Sequence, residues 1–198
     1  MSQLPSFSRI NITNEEINAL PLHAFDGTVN VIQSKEELPH IFKEISKYRI
    51  VGFDTETKPV FVKGQRHSVA LMQIALPDRA FLVRIKFTGV TPEIVSFLED
   101  SHILKVGVGV RDDIKALQAL RKFTAAGFVE LADMARNAGL EVESVKKLTA
   151  LLLGFRISKS AQTSNWEAER LDTKQVSYAA TDAWVCLNIY RKLTGDLP

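Results

Sequence analysis

Ile50-Val-Gly-Phe-Asp54-Thr-Glu56-Thr57 constrains this chain more than any other stretch. An apolar, β-favouring run ends abruptly in two carboxylates one residue apart, and strand alternation puts Asp54 and Glu56 on the same face. Such a pair either caps a core strand in water or shares a divalent cation. With no His or Cys nearby, the donor set is oxygen alone, which suits Mg²⁺ or Mn²⁺ rather than Zn²⁺ because hard cations prefer hard donors. A metal site needs more ligands than two, so the rest of the chain must supply them.

With 198 residues, 45% of them hydrophobic, the chain is long enough to bury a core in one domain without disulfides. Its single cysteine, Cys186, lies in the apolar run Ala183-Trp-Val-Cys186-Leu and reads as a buried hydrophobe rather than a nucleophile. That usage suits a reducing compartment. No apolar run reaches the length of a membrane span, and Met1-Ser-Gln-Leu-Pro-Ser lacks the charged-then-apolar layout of a secretory signal, so a cytoplasmic location is expected. A net charge of +2 excludes a strongly basic protein but allows a polyanionic partner if the bases cluster around an acidic centre.

Residues 1–30 read as an N-terminal extension with one short helix, opened by a Thr13-Asn-Glu-Glu16 capping box and limited by Pro21. Residues 31–198 read as a single domain. A helix follows the Ser34/Glu37 capping box, with Leu38, Ile41, Phe42 and Ile45 at helical spacing, and then comes the Asp54 strand. Val69–Ala75 and Ala80–Ile85 read as two further strands of an antiparallel meander, turning at Pro77-Asp78. From Thr91 the pattern becomes helix, strand (Ile103–Val108) and helix (Asp112 to about Arg121), which implies a parallel crossover. A short strand at Gly127–Glu130, helices at Leu131–Ala138 and Ser144–Leu153, and a last helix from near Asp172 to about Leu193 complete the chain. The expected fold is α/β: a mixed sheet, part antiparallel meander and part parallel, flanked by helices.

Two later segments offer the missing carboxylates. Gly107-Val-Gly109-Val-Arg-Asp112-Asp113 lies at a strand-to-helix junction, where α/β folds place binding groups. It is a poor dinucleotide fingerprint, because Asp112 stands where the third glycine belongs and acids there repel a pyrophosphate. Either acid could instead complement the helix dipole. Tyr178-Ala-Ala-Thr-Asp182 places a phenol and a carboxylate four residues apart on one helical face.

Phe53-Asp54-Thr-Glu56-Thr57, Val69-Ala-Leu-Met-Gln-Ile74, Lys105-Val-Gly-Val-Gly-Val-Arg-Asp-Asp113, Ser164-Asn-Trp166 and Tyr178-Ala-Ala-Thr-Asp182-Ala occur here in order. From about Ile50 to Leu193 the chain thereby resembles the RNase D and DnaQ-like 3′–5′ exonucleases of the DEDDy type, with Werner-syndrome-type exonuclease domains the nearest in pattern. The resemblance implies an RNase H-like sheet. It also implies that Asp54, Glu56, Asp113 and Asp182 are the metal-site acids, with Asp113 at the family acid's distance from the paired glycines and Asp112 adjacent, and that Tyr178 is the active-site tyrosine. The implied cofactors are two divalent cations, Mg²⁺ or Mn²⁺, and the implied partner is a nucleic acid with a free 3′ end, DNA favoured and RNA possible.

Around that centre, Thr55, Lys58, Phe61, Arg66 and Lys159 are the candidate substrate contacts, together with the bases Lys63, His67 and Arg156. Trp166 is expected to pack on the last helix, and His23, His40 and His102 receive no role. Two rivals merit comparison. The Asp54/Glu56 motif also resembles that of haloacid-dehalogenase-type phosphatases, with Asp112-Asp113 imitating their later acid pair, but that reading leaves Tyr178 and Asp182 unemployed. A non-catalytic nucleic-acid-binding domain gains nothing from holding four mutually repelling acids beside a polyanion.

Overall fold

The computed structural model describes residues 7–59 and 67–196. In chain order the elements are α1 (Asn14–Ala19), β1 (Thr28–Ile32), a 3₁₀ turn (Lys35–Glu37), α2 (Leu38–Ile45), β2 (Ile50–Thr57), β3 (Val69–Ala75) and β4 (Arg79–Val83). There follow α3 (Ile85–Thr88), α4 (Pro92–Glu99), β5 (Leu104–Gly107), α5 (Val110–Leu120), β6 (Phe128–Glu130), α6 (Leu131–Asn137), α7 (Val145–Leu153) and α8 (Thr173–Thr194). The three capping boxes legible in the sequence all form: Thr13 with Glu16, Ser34 with Glu37, and Asp172 with Gln175. Each satisfies backbone N–H groups that a helix start otherwise leaves unpaired.

The strands make one six-stranded sheet in the order β1-β4-β3-β2-β5-β6. β2, β3 and β4 form the expected antiparallel meander, while β5 joins β2 and β6 joins β5 in parallel. β1, parallel to β4, is an edge strand that the sequence reading did not include, and it runs across residue 30. β4 stops at Val83 rather than Ile85 because Arg84 turns out of the ladder to become the N-cap of α3. α5 begins at Val110, two residues ahead of Asp112. Gly109, at φ 81°, takes the left-handed conformation that ends the β5 turn and starts the helix there.

Alternation along the strands sends side chains to two helical layers. Val51, Phe53, Met72, Ile74, Phe81 and Val83 pack with α2, α4 and α5. On the other face α8 runs under the sheet, backed by α6, α7 and α1. There Val106 packs with Leu148, Val185 and Ile189, and Leu71 and Leu82 pack with Trp166, Tyr178 and Ala179. Burying side chains such as Leu187, Ile189 and Leu193 contributes roughly 1.5–3 kcal/mol each. Trp166 lies on α8 as expected, its ring 5.9 Å from that of Tyr178, and Cys186 is a free, buried thiol. The N-terminal segment is tied on by buried Ile12 and Ile17 and by a hydrogen bond from Phe25 N to Thr181 Oγ1. Among the described residues no helix is long and apolar enough to cross a membrane.

β2 and α8 come into close contact at Gly52. A Cβ there would sit 1.9 Å from the carbonyl oxygen of Ala183, so only glycine lets β2 and α8 touch. Two residues on, Asp54 leaves the same strand face, and Asp182 precedes Ala183 in the helix.

Candidate active site

That contact brings distant acids together. Carboxylate oxygens of Asp54, Glu56 and Asp182 all lie within 4.8 Å of one another. Asp54 and Glu56 are half-buried, and Asp182 is 3% exposed. The β2–β3 ladder slips register between Glu56 and Thr57, so the regular pairing is disrupted immediately after the second acid, as is common where a strand re-aims a side chain near a site.

Asp113 stands at the edge of this group rather than inside it. Gly107 lets the β5–α5 turn crowd the middle of β2, since a Cβ there would lie 2.5 Å from Phe53 O. Asp113, in the first turn of α5, then accepts a 2.5 Å hydrogen bond from Thr55 Oγ1. Thr55 alternates to the sheet face opposite Asp54 and Glu56, so its hydroxyl serves Asp113. Asp112 points outward and pairs with Lys115 at 3.2 Å, leaving Asp113 as the inward acid of the two. The joint acid pair that a phosphatase reading needed does not form.

The electrostatics follow from packing like charges. Burial, then the charges of Asp113, Asp182 and Glu56, push the Asp54 carboxyl well above the usual carboxylate range. Burial and then Asp182 raise Glu56 to about 8, with Lys159 working against the shift. Burial raises Asp113 to about 6 although the Thr55 hydrogen bond pulls it down. Asp182 is likewise raised by burial and opposed by Lys159. Lys159 Nζ reaches Asp182 Oδ2 at 3.0 Å and the Tyr178 hydroxyl at 3.4 Å. The Tyr178 phenol is pushed upward by burial and by the charges of Asp182 and Glu56, so it stays protonated and can orient a water but not deprotonate one. Among the described residues Asp182 Oδ1 is buried without a hydrogen-bond partner. An oxygen-only donor set, mutual repulsion and a spare buried carboxylate oxygen all fit a bound divalent cation.

Other sequence-named residues fall differently. Lys58 Nζ is 3.7 Å from Glu167, as is His67 Nδ1, so both are directed to that acid. Arg156 is engaged elsewhere: its Nε donates to Leu20 O, holding the N-terminal segment. Phe61, Lys63 and Arg66 lie outside the described residues. Sequence reasoning missed Glu130, whose carboxylate accepts from Gly109 N at 2.9 Å and Val110 N at 3.0 Å and thereby ties the end of β6 to the turn that carries Asp113. An acid at a strand end beside a Gly-x-Gly turn was the available signal. Gln73, quoted with the β3 motif but given no role, is a lone amide in an otherwise apolar strand, buried with neither polar atom bonded among the described residues.

A mixed sheet with an Asp-x-Glu pair ending its central strand, a third acid below it on a crossing helix and a tyrosine one turn away defines an RNase H-like hydrolase of the DEDD type. The description "3′-5′ exonuclease" belongs to the family model that matches residues 29–198. The chain therefore belongs to the 3′–5′ exonuclease domain family of the RNase D/DnaQ-like superfamily, whose members are hydrolases. It is 34% identical over 190 residues to the bifunctional 3′-5′ exonuclease/ATP-dependent helicase WRN of Mus musculus, covering 90% of this chain but 13% of that protein's length. The Aedes aegypti Nibbler EXO domain superposes with a TM-score of 0.75 at 25% identity, covering 86% of this chain and 90% of that one. Escherichia coli RNase D shares the fold, with a TM-score of 0.76 at 19% identity over 84% of this chain and 44% of that one.

Proposed function

We propose that this chain is a metal-dependent 3′–5′ exonuclease that removes nucleotides from nucleic-acid 3′ ends through a pair of divalent ions, with residues 31–198 as the core of the catalytic domain, to which β1 adds Thr28–Asn30 from the preceding extension. The convergence of Asp54, Glu56 and Asp182 oxygens within 4.8 Å carries the reading. DNA is the favoured polymer. RNA is the alternative, since the E. coli fold neighbour is an exoribonuclease. A cytoplasmic setting suits the buried, unpaired Cys186.

Divalent ions, when bound, supply Lewis-acid stabilisation of the charge that builds on phosphodiester oxygens and make water more acidic. Asp54 would help hold both ions, Glu56 and Asp182 would help hold the one serving the nucleophilic water, and Asp113 would support the other from the edge of the group. Tyr178, protonated, would donate to that water and aim its lone pair. Lys159, already against Asp182 and Tyr178, is placed to meet a phosphate oxygen of the substrate. Lys58 would hold the strand further out.

The test uses 5′-labelled single-stranded DNA, 3′-recessed duplex DNA and RNA with Mg²⁺ or Mn²⁺. Shortening ladders are expected with the wild type and none with Asp54→Ala, whose fold is checked by circular dichroism. A folded Asp54→Ala that still trims the 3′ end would reject the assignment.

A further inference from the structure

β3 reads Val69-Ala-Leu-Met-Gln-Ile-Ala75, and every residue of it is buried. Gln73 is 0% exposed, and among the described residues neither Nε2 nor Oε1 has a hydrogen-bond partner. A buried amide left unpaired costs stability that an apolar side chain of the same shape would not, so its presence asks for a reason. The ladder supplies one. Gln73 is the residue directly opposite Asp54, so the two side chains leave the same face of the sheet with Cβ atoms about 4.5–5.5 Å apart. A glutamine spans that gap with length to spare. The other acid pairings are already made: Thr55 donates to Asp113, and Lys159 donates to Asp182. Glu56 faces Leu71 across the same ladder. Among the described residues no side-chain donor is bonded to Asp54, and the donor nearest in register is the unspent amide of Gln73.

We propose that Gln73 is a positioning residue for the cation site, its side-chain amide donating to the Asp54 carboxylate and turning that acid toward Glu56 and Asp182. The inference rests on the metal reading of the same pocket. Carboxylates that ligate metals are held in orientation by hydrogen-bond partners, and losing such a partner typically weakens metal binding by about ten- to a hundredfold. The bond forms as an ion draws Asp54 into the ligating position. Gln73 touches neither substrate nor ion.

Gln73→Met keeps the side chain's length and removes both polar atoms, which separates this role from packing. Mn²⁺ binding to the purified protein is measured by the electron paramagnetic resonance of free Mn²⁺, alongside thermal unfolding in chelator. The expected result is an unfolding temperature at or above that of the wild type, with a Mn²⁺ dissociation constant raised about tenfold or more. A purely structural amide would leave the Mn²⁺ isotherm unchanged, and that outcome overturns the proposal while the metal reading stands. No Mn²⁺ binding by the wild type would overturn both. Should Gln73→Met fail to fold, the wild type labelled with ¹⁵N-glutamine decides: the Gln73 side-chain amide resonances are expected to shift on adding Mg²⁺, and unmoved resonances overturn the proposal.

Discussion

Lys159 Nζ lies 3.0 Å from Asp182 Oδ2, and its charge also lowers the proton affinity of Glu56. One ammonium therefore offsets two of the converging acids. Replacing it leaves Asp182 buried without its cation, while the part of Lys159 that faces solvent limits the cost. Lys159→Met is expected to lose roughly 1–2 kcal/mol of stability in chelator, and less in saturating Mg²⁺, because a bound cation takes over the compensation. Urea denaturation with and without EDTA checks this; an equal loss in both conditions would count against it. Nucleotide release should drop about tenfold or more if the same ammonium meets a substrate phosphate.

Stability of the metal-free protein should fall as pH rises. A carboxyl whose folded pKa exceeds its unfolded value holds its proton more tightly in the native state, so its contribution is full below the unfolded value and is lost through the folded one. The window for Glu56 runs from 4.5 to about 8, and that for Asp113 from 3.8 to about 6. Calorimetry in EDTA should show the unfolding temperature declining between about pH 5 and about pH 8, and Mg²⁺ should flatten the decline. Glu56→Gln should remove the upper part of the slope.

Thr55 is expected to act on activity through Asp113. Its hydroxyl holds the Asp113 carboxyl down from a still higher value, so Thr55→Val makes that acid harder to ionise. The acidic limb of the rate profile should move to higher pH, with roughly a tenfold loss at neutral pH, in line with a hydrogen bond to a charged group. Thr55→Ser, which keeps the donor, should restore the profile. A uniform loss at every pH in both variants would instead point to packing.

Lys105 gives a slope of the opposite sign. The side chain is 0% exposed, with Nζ donating to Phe97 O at 3.1 Å and Asp100 O at 2.6 Å, and with the rings of Phe97 and Phe128 at 5.3 and 5.1 Å. Burial lowers its pKa from 10.5 to about 8. The unfolded chain binds this proton more tightly, so the desolvation cost is present below about 8 and is relieved as pH rises toward 10.5. Wild type should thus gain stability relative to Lys105→Met across that window. A pH-independent difference between the two would refute the shift.

Much of this was open to inspection in the chain because the signals were local. Alternation in Asp54-Thr-Glu56, the box of Asp172 and Gln175, and the four-residue step from Tyr178 to Asp182 each depend on one element's own geometry. What escaped depends on partners far away. β1 is a five-residue edge strand paired with β4, which follows about fifty residues later, so nothing near Thr28 announces the pairing. The service of Thr55 to Asp113, and the diversion of Arg156 to Leu20, are contacts between segments 58 and 136 residues apart. Distance from the paired glycines favours Asp113 over Asp112 in the sequence; the bond from Thr55 to Asp113 and the outward pairing of Asp112 with Lys115 were not legible there.

Gly52 bears no charge, yet its missing methyl sets the clearance between the strand and helix that present Asp54 and Asp182. The spacing of the acids is therefore a mechanical tolerance of the scaffold, machined to a single hydrogen atom. A descendant that preserved all four carboxylates and the tyrosine but acquired alanine at position 52 would own the right tools with the jaws wedged apart.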